Sequence, residues 1–173
     1  MNFEIERKFL IRSREWEQHV KSRSTIRQAY LDSAPKVSIR VRIKDNASAT
    51  LTLKSRPSSL RRLELEYPIP TLEAEALMQL RRGAVVEKVR HVVPYGDASG
   101  GDLCWEIDTF FGENLGLVVA EIELPDEHHA VELPSWIGAE VTGQSQYYNG
   151  TLSQRPYSSW SQASTADSAE RRA

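Results

Sequence analysis

At 173 residues the chain is long enough to bury a sizeable core as a single domain. A formal net charge of −2, with 27% charged residues, excludes a bulk electrostatic argument for nucleic acid or a membrane surface. The lone cysteine, Cys104, excludes an internal disulfide and fits a reducing cytosol, and no apolar run approaches the ~20 residues of a membrane helix.

The N-terminus enters a strand almost at once, without the basic and apolar regions of a signal peptide, so the expected location is cytoplasmic. In this first strand, roughly 2–11, Glu4, Glu6 and Lys8 fall at every second position and share one face, while Phe3, Ile5 and Phe9 take the other. Ser13 is placed to cap a short helix carrying Trp16 and Val20. Residues 24–31 read as a strand. Residues 36–44 alternate without a break, with Val37, Ile39, Val41 and Ile43 opposite Arg40 and Arg42. Residues 49–56 alternate again, Leu51 and Leu53 against Thr52 and Lys54. Arg62, Glu64 and Glu66 then oppose Leu63, Leu65 and Tyr67.

A helix is expected from Thr71 as its N-cap, with Leu72, Ala76, Leu77 and Leu80 as its apolar stripe and Arg81, Arg82 and Gly83 at its close. Further strands follow at 85–93 (Lys88, Arg90), 103–110 (Glu106, Asp108) and 117–124 (Glu121, Glu123). Pro134–Ile137 reads as one helical turn and 144–153 as a last helix. The domain is expected to span 1–157, and the Ser- and Ala-rich residues 158–173 to be a disordered tail.

Eight candidate strands joined largely by turns predict an α+β fold built on an antiparallel sheet. Arginine and lysine recur on the charged parity of several strands, and paired acids occur on four of them. The helix stripes need an apolar sheet face to cover. Both features favour a closed barrel with helices on the outside and a charged lumen. So many charges inside a protein are costly unless paired, solvated, or bound to ions and ligand, and a dense polyanion with divalent cations would satisfy both the basic and the acidic set.

Glu4-Ile-Glu6-Arg-Lys8 resembles the ExExK signature of CYTH domains, the triphosphate tunnel metalloenzymes. Arg40-Val-Arg42, Lys54, Glu64-Leu-Glu66, Lys88-Val-Arg90, Glu106-Ile-Asp108 and Glu121-Ile-Glu123 follow in that family's order and parity. The resemblance covers roughly 2–155 and is strongest to the short bacterial inorganic triphosphatases. It implies a closed eight-stranded antiparallel tunnel that binds triphosphate and uses Mg2+ or Mn2+. Glu4, Glu6, Asp108, Glu121 and Glu123 would hold metal. Lys8, Arg40, Arg42, Arg62, Lys54, Lys88 and Arg90 would grip phosphate. Glu4, Glu6, Lys8 and Tyr30 are the catalytic candidates, Tyr30 by pairing with Lys8 or moving a proton.

The implied reaction is hydrolysis of inorganic triphosphate to pyrophosphate and phosphate, with metal assistance to the attacking water. Thiamine triphosphate hydrolysis and ATP cyclisation are the alternatives, and no aromatic pocket for a base stands out on the charged parity. A module that binds polyphosphate or nucleotide without turnover is the non-enzyme reading; its weakness is the acid set, which an anion binder does not need. The expected partner is a small polyanionic substrate, with no nucleic acid and no membrane, and the chain a monomer or homodimer. His19, His91, His128 and His129 lack the spacing of a zinc site. Trp16, Trp105 and Trp136 read as packing residues, Glu140 has no assignable role, and Trp160 falls in the tail.

Overall fold

The structure, a computed structural model, describes residues 5–32, 37–55, 63–96, 103–126 and 128–160. Glu4, Arg62 and residues 161–173 therefore lie outside the described residues.

Alternating residues produce eight strands as expected, β1 (Ile5–Ile11), β2 (Ser22–Asp32), β3 (Val37–Lys44), β4 (Ser48–Ser55), β5 (Glu64–Ile69), β6 (Arg82–Pro94), β7 (Cys104–Phe110) and β8 (Val118–Leu124), and a further one, β9 (Ile137–Glu140), follows them. Among the described residues two α-helices accompany them, α1 (Thr71–Gln79) and α2 (Asn149–Gln154). The described strands form one antiparallel sheet in the order β5-β4-β3-β2-β6-β7-β8-β1-β9. This corrects the closed eight-stranded barrel: among the described residues there are nine strands, and β5 and β9 are edges that do not pair with each other. The ninth strand is the short segment around Gly138, which adds to the free side of β1 through Phe9↔Glu140 and Ile11↔Ile137. It occupies the edge that a closing contact from β5 would need.

Glu140 owes its place to this edge. Arg7 donates to its carboxylate from Nε at 2.9 Å and Nη2 at 2.7 Å, and Thr142 Oγ1 donates at 2.7 Å. The Arg7 hydrogen bond holds the Glu140 carboxyl below its ordinary range. The pair is 31% and 41% exposed, so solvent screens it. Glu140→Gln is expected to cost no more than ~1 kcal/mol in urea titrations, with unchanged activity.

Three apolar clusters hold the sheet. On the convex side, Phe9, Trp105, Ile107, Ala120 and Ile122 pack with Trp16 and Trp136. The Trp105 ring meets Phe9 and Trp136 edge-on, with centroids 5.6 and 5.5 Å away. Trp16 comes from a short 3-10 helix, Glu15–His19, which Ser13 does not cap; the Ser13 hydroxyl is buried without a hydrogen-bond partner. Elsewhere on that side, α1 covers Ala29, Val41, Ile43 and Ala49 with Ala74 and Met78, assisted by Leu77.

The expected stripe of α1 is thus rotated. Leu72 and Leu80 are exposed, and the small residues Ala29 and Ala49 accept Ala74 and Met78 instead. Arg27, donating to Glu75 at 2.8 and 3.2 Å, pins that rotation. Pro70, not Thr71, takes the N-cap position, and no side chain caps the helix.

The third cluster lies on the concave side. Val86, Phe110 and Val119 share the parity of Lys88, Asp108 and Glu121, yet pack with Leu117 and Leu152 of α2. The charged face is therefore apolar at one end, and α2 seals that end from within rather than lying outside. Ser145–Tyr147 forms a 3-10 helix before α2, and Ile137 opens β9 where a helical turn was expected. Trp160 packs edge-on against Tyr147 and Tyr157, at 5.3 and 5.0 Å, so packed structure continues past residue 157. Among the described residues no helix is long and apolar enough to cross a membrane.

Candidate active site

The concave face of the sheet and the segment 145–154 enclose a cavity of about 1020 Å³. Strand alternation sends every second side chain into it. Glu6 and Lys8 arrive from β1, Arg40 and Arg42 from β3, Thr52 and Lys54 from β4, and Glu64 and Glu66 from β5. Arg90 comes from β6, Glu106 from β7, and Glu121 and Glu123 from β8. Tyr30 lines it from β2.

On one wall, Arg40 Nη2 donates to Thr52 at 3.1 Å, Glu64 at 3.3 Å and Glu66 at 3.2 Å, and Lys54 pairs with Glu64 at 3.0 Å. Arg40 Nε is buried with no hydrogen-bond partner. Arg42 Nε donates to the neutral Gln28 Oε1 at 3.1 Å, its one hydrogen bond among the described residues. Burial, and then Arg40 and Arg90, push the Arg42 guanidinium down to about 10. A guanidinium in that position is short of negative charge.

On the other wall, Arg90 is held by three acids. It donates to Asp108 at 2.8 and 2.7 Å, to Glu121 at 3.0 Å and to Glu106. Its own burial is outweighed by these acids, which raise its affinity for the proton. Lys8 lies 2.7 Å from Glu121 and 3.8 Å from Glu6. Burial disfavours its charge, but Glu121 and Glu6 prevail and raise it above the ordinary lysine value. Burial likewise works against the Glu121 carboxylate, and Lys8, Lys88 and Arg90 still hold it low.

Lys88 and Asp108 sit beneath the cavity. They form a buried ion pair and do not line the open volume. Burial pushes Lys88 down to about 8, with Asp108 opposing. Burial also opposes the Asp108 charge, but Lys88 and Arg90 together hold that carboxyl well below its usual range. In this structure Asp108, an expected metal ligand, pairs with Arg90 and Lys88 and does not line the cavity. Lys88, an expected phosphate ligand, has Asp108 as its counter-ion.

Tyr30, the expected partner of Lys8, lines the cavity from β2. Its hydroxyl accepts a 3.5 Å contact from Gln28 Nε2, and its ring lies against Gly150. Burial raises its affinity for the proton despite Arg40, Arg42 and Lys54, so the phenol stays protonated at neutral pH. The aromatic ring over the Lys8 ammonium belongs to Tyr148, 5.3 Å from Nζ to centroid. Tyr148, Asn149, Thr151 and Gln154 line the cavity from α2 and its approach. No strand parity marks them, so alternation could not find them.

Oxygen donors for a hard cation are present. Glu6 stands directly opposite Glu123 across β1 and β8, and Glu106 opposite Glu121 across β8 and β7. Like charges directly opposite repel, and a cation between them relieves this. Among the described residues no three acids already gather around one point. The arrangement fits Mg2+ or a similar ion, which takes one or two carboxylates and completes its shell with water and phosphate oxygens.

A family model for the CYTH domain matches residues 2–157. The chain belongs to the CYTH domain family. It is 40% identical over 158 residues to the inorganic triphosphatase of Acetivibrio thermocellus, covering 91% of this chain and 97% of that one. Among solved structures it is similar to the inorganic triphosphatase NE1496, with TM-score 0.65 and 30% identity over 89% of this chain and 96% of that chain. The PH1012 protein from Pyrococcus horikoshii OT3 matches with TM-score 0.55 over 72% of this chain and 79% of that chain; at 17% identity that likeness concerns the fold alone. In this CYTH chain the motif residues Glu6, Lys8, Arg40, Arg42, Lys54, Arg90, Glu106, Glu121 and Glu123 converge on one cavity.

Proposed function

We propose that the protein hydrolyses inorganic triphosphate to pyrophosphate and phosphate in this cavity. The observation that carries the reading is Arg42, whose guanidinium among the described residues meets only the neutral Gln28 on a wall that faces carboxylates across the cavity, beside an Arg40 whose Nε has no hydrogen-bond partner. A linear polyanion supplies the charge that Arg42 lacks and an acceptor for Arg40 Nε, and a divalent cation, Mg2+ or Mn2+, allows the anion to approach the acids. The 40% identity to an inorganic triphosphatase favours triphosphate over an organic triphosphate.

Phosphoryl transfer depends on positioning and charge stabilisation more than on covalent help. Arg40 and Arg42 bind phosphate oxygens in planar two-pronged contacts, and Lys54 adds a point charge. Lys8 and Arg90, each held by Glu121, orient the phosphate nearest the acid wall. Water attacks the terminal phosphorus as the bond to pyrophosphate breaks. Glu6 and Glu123 would hold the cation, with Glu4 two positions before Glu6 in sequence. When bound, it supplies Lewis-acid stabilisation of charge on the phosphoryl group.

The test is phosphate release from triphosphate, thiamine triphosphate and ATP, side by side in Mg2+ and Mn2+. Fastest release from triphosphate supports the proposal. Cyclic AMP from ATP would move the assignment to a cyclase, and tight triphosphate binding without release to a binding module. Glu6→Gln is expected to raise the Mg2+ requirement by at least the roughly 10–100-fold that losing an outer partner of a metal ligand costs. Normal turnover in that variant at unchanged Mg2+ would remove Glu6 from the metal set.

A further inference from the structure

We infer that Tyr148 is a positioning residue for Lys8, holding its ammonium at the cavity wall through the face of the aromatic ring. The inference rests on the triphosphatase reading for its role in turnover, but its geometry stands independently.

Lys8 is 4% exposed, and its Nζ has Glu121 at 2.7 Å on one side and the Tyr148 ring on another. A cation on an aromatic face is held most strongly where water is excluded. Buried Lys88 is seated in the same way, with Nζ 5.5 Å from the Phe110 centroid. Unlike Phe110, Tyr148 belongs to no strand. The chain following β9 carries it to the Lys8 head, and that chain is tied to Lys8 itself: Val141 N donates to Lys8 O at 2.8 Å, and Lys8 N donates to Thr142 Oγ1 at 3.0 Å.

Tyr148 is then locked by the start of α2. Its carbonyl accepts from the amides of Thr151 and Leu152, both at 2.9 Å, and Leu152 is fully buried in the concave cluster. Lys8 is therefore gripped at its backbone by residues 141–142 and at its head by residue 148. Glu121 at 2.7 Å and Glu6 at 3.8 Å hold the ammonium by charge, which does not by itself fix its direction. The ring removes that freedom and leaves the remaining N–H directions for a phosphate oxygen.

The experiment compares Tyr148→Phe, Tyr148→Leu and Tyr148→pentafluorophenylalanine, the last keeping the ring's size while reversing the charge of its face. The expected result is a loss in kcat of about tenfold in the leucine and fluorinated proteins, with KM little changed and the phenylalanine protein recovering most of the rate. Unchanged kcat in the leucine protein, a loss confined to KM, or full activity of the fluorinated protein would each overturn the inference. Should Tyr148→Leu fail to fold, the two ring-bearing variants decide it.

A second readout needs no substrate. Acetylation of Lys8, followed by mass spectrometry, should rise several-fold in Tyr148→Leu and stay near wild type in Tyr148→Phe. Equal labelling in all proteins overturns the contact. A wild-type protein inert towards triphosphate would sink the functional reading, and the labelling would then decide the inference alone.

Discussion

Gly83→Ala is expected to lower stability by about 3 kcal/mol or more, the sum of a left-handed backbone penalty and a collision with α2. Gly83 has φ +75°, where an L side chain costs ~1–2 kcal/mol. A Cβ there would lie 2.2 Å from the backbone carbonyl oxygen of Ser153 and 2.8 Å from Gln154 Nε2. The glutamine can rotate away, but the Ser153 carbonyl belongs to the helix whose Leu152 plugs the concave cluster. Relief therefore requires α2 to shift, and with it Tyr148, Asn149 and Thr151 on the cavity wall. Activity should fall along with the urea midpoint. Gly96→Ala is the control: its φ is +72°, and a Cβ there meets nothing within 4 Å. It should cost only the backbone penalty, ~1–2 kcal/mol. Equal losses in the two variants would show that the approach of α2 to Gly83 carries no energetic weight.

Asp108→Asn should be at least as damaging, at about 3–5 kcal/mol, the usual cost of leaving a buried charge without its partner. Asp108 neutralises two cations at once, Lys88 and Arg90. Asparagine preserves the shape and removes the charge. Lys88, already pushed down to about 8, would lose its ion-pair partner and release its proton still more readily. Arg90 would keep Glu106 and Glu121 and should swing towards them, spoiling its aim at the ligand.

The pH dependence follows from the sign of the shift. The folded Asp108 carboxyl is held below its unfolded value, so its contribution is complete above an unfolded pKa of ~3.9 and is lost as pH falls further. The stability gap between wild type and Asp108→Asn should therefore be widest near neutrality and close in acid. A gap independent of pH from 7 to 3 would refute the assignment of the charge to Asp108. Lys88→Met combined with Asp108→Leu, which leaves neither lysine nor carboxylate, should recover part of the loss.

Sequence alternation was enough to place the charged faces. The odd–even pattern of β3 and β4 separates Arg40, Arg42, Thr52 and Lys54 from Val41, Ile43 and Ala49, and those two sets lie on opposite faces of the sheet. A strand's period of two leaves no other arrangement once one face is apolar. Which convex residues α1 would cover was less legible. Leu72 and Leu80 fit a helical stripe, but the helix turns towards Ala29 and Ala49, where the sheet leaves room.

What the chain determined by itself is the identity and parity of the groups that meet in the cavity, because alternation is a local property of each strand. What only the tertiary structure decided is the depth and company of each group. Lys88 and Asp108 share parity with Arg90 and Glu106, yet lie sealed beneath the cavity because Phe110, Val119 and Leu152 fill that end of the concave face. Tyr148 reaches Lys8 only because β9 takes the free edge of β1 and carries the chain back across it. Contacts between residues 140 positions apart depend on sheet order and on a short helix docking inside the curve, and no local periodicity encodes either.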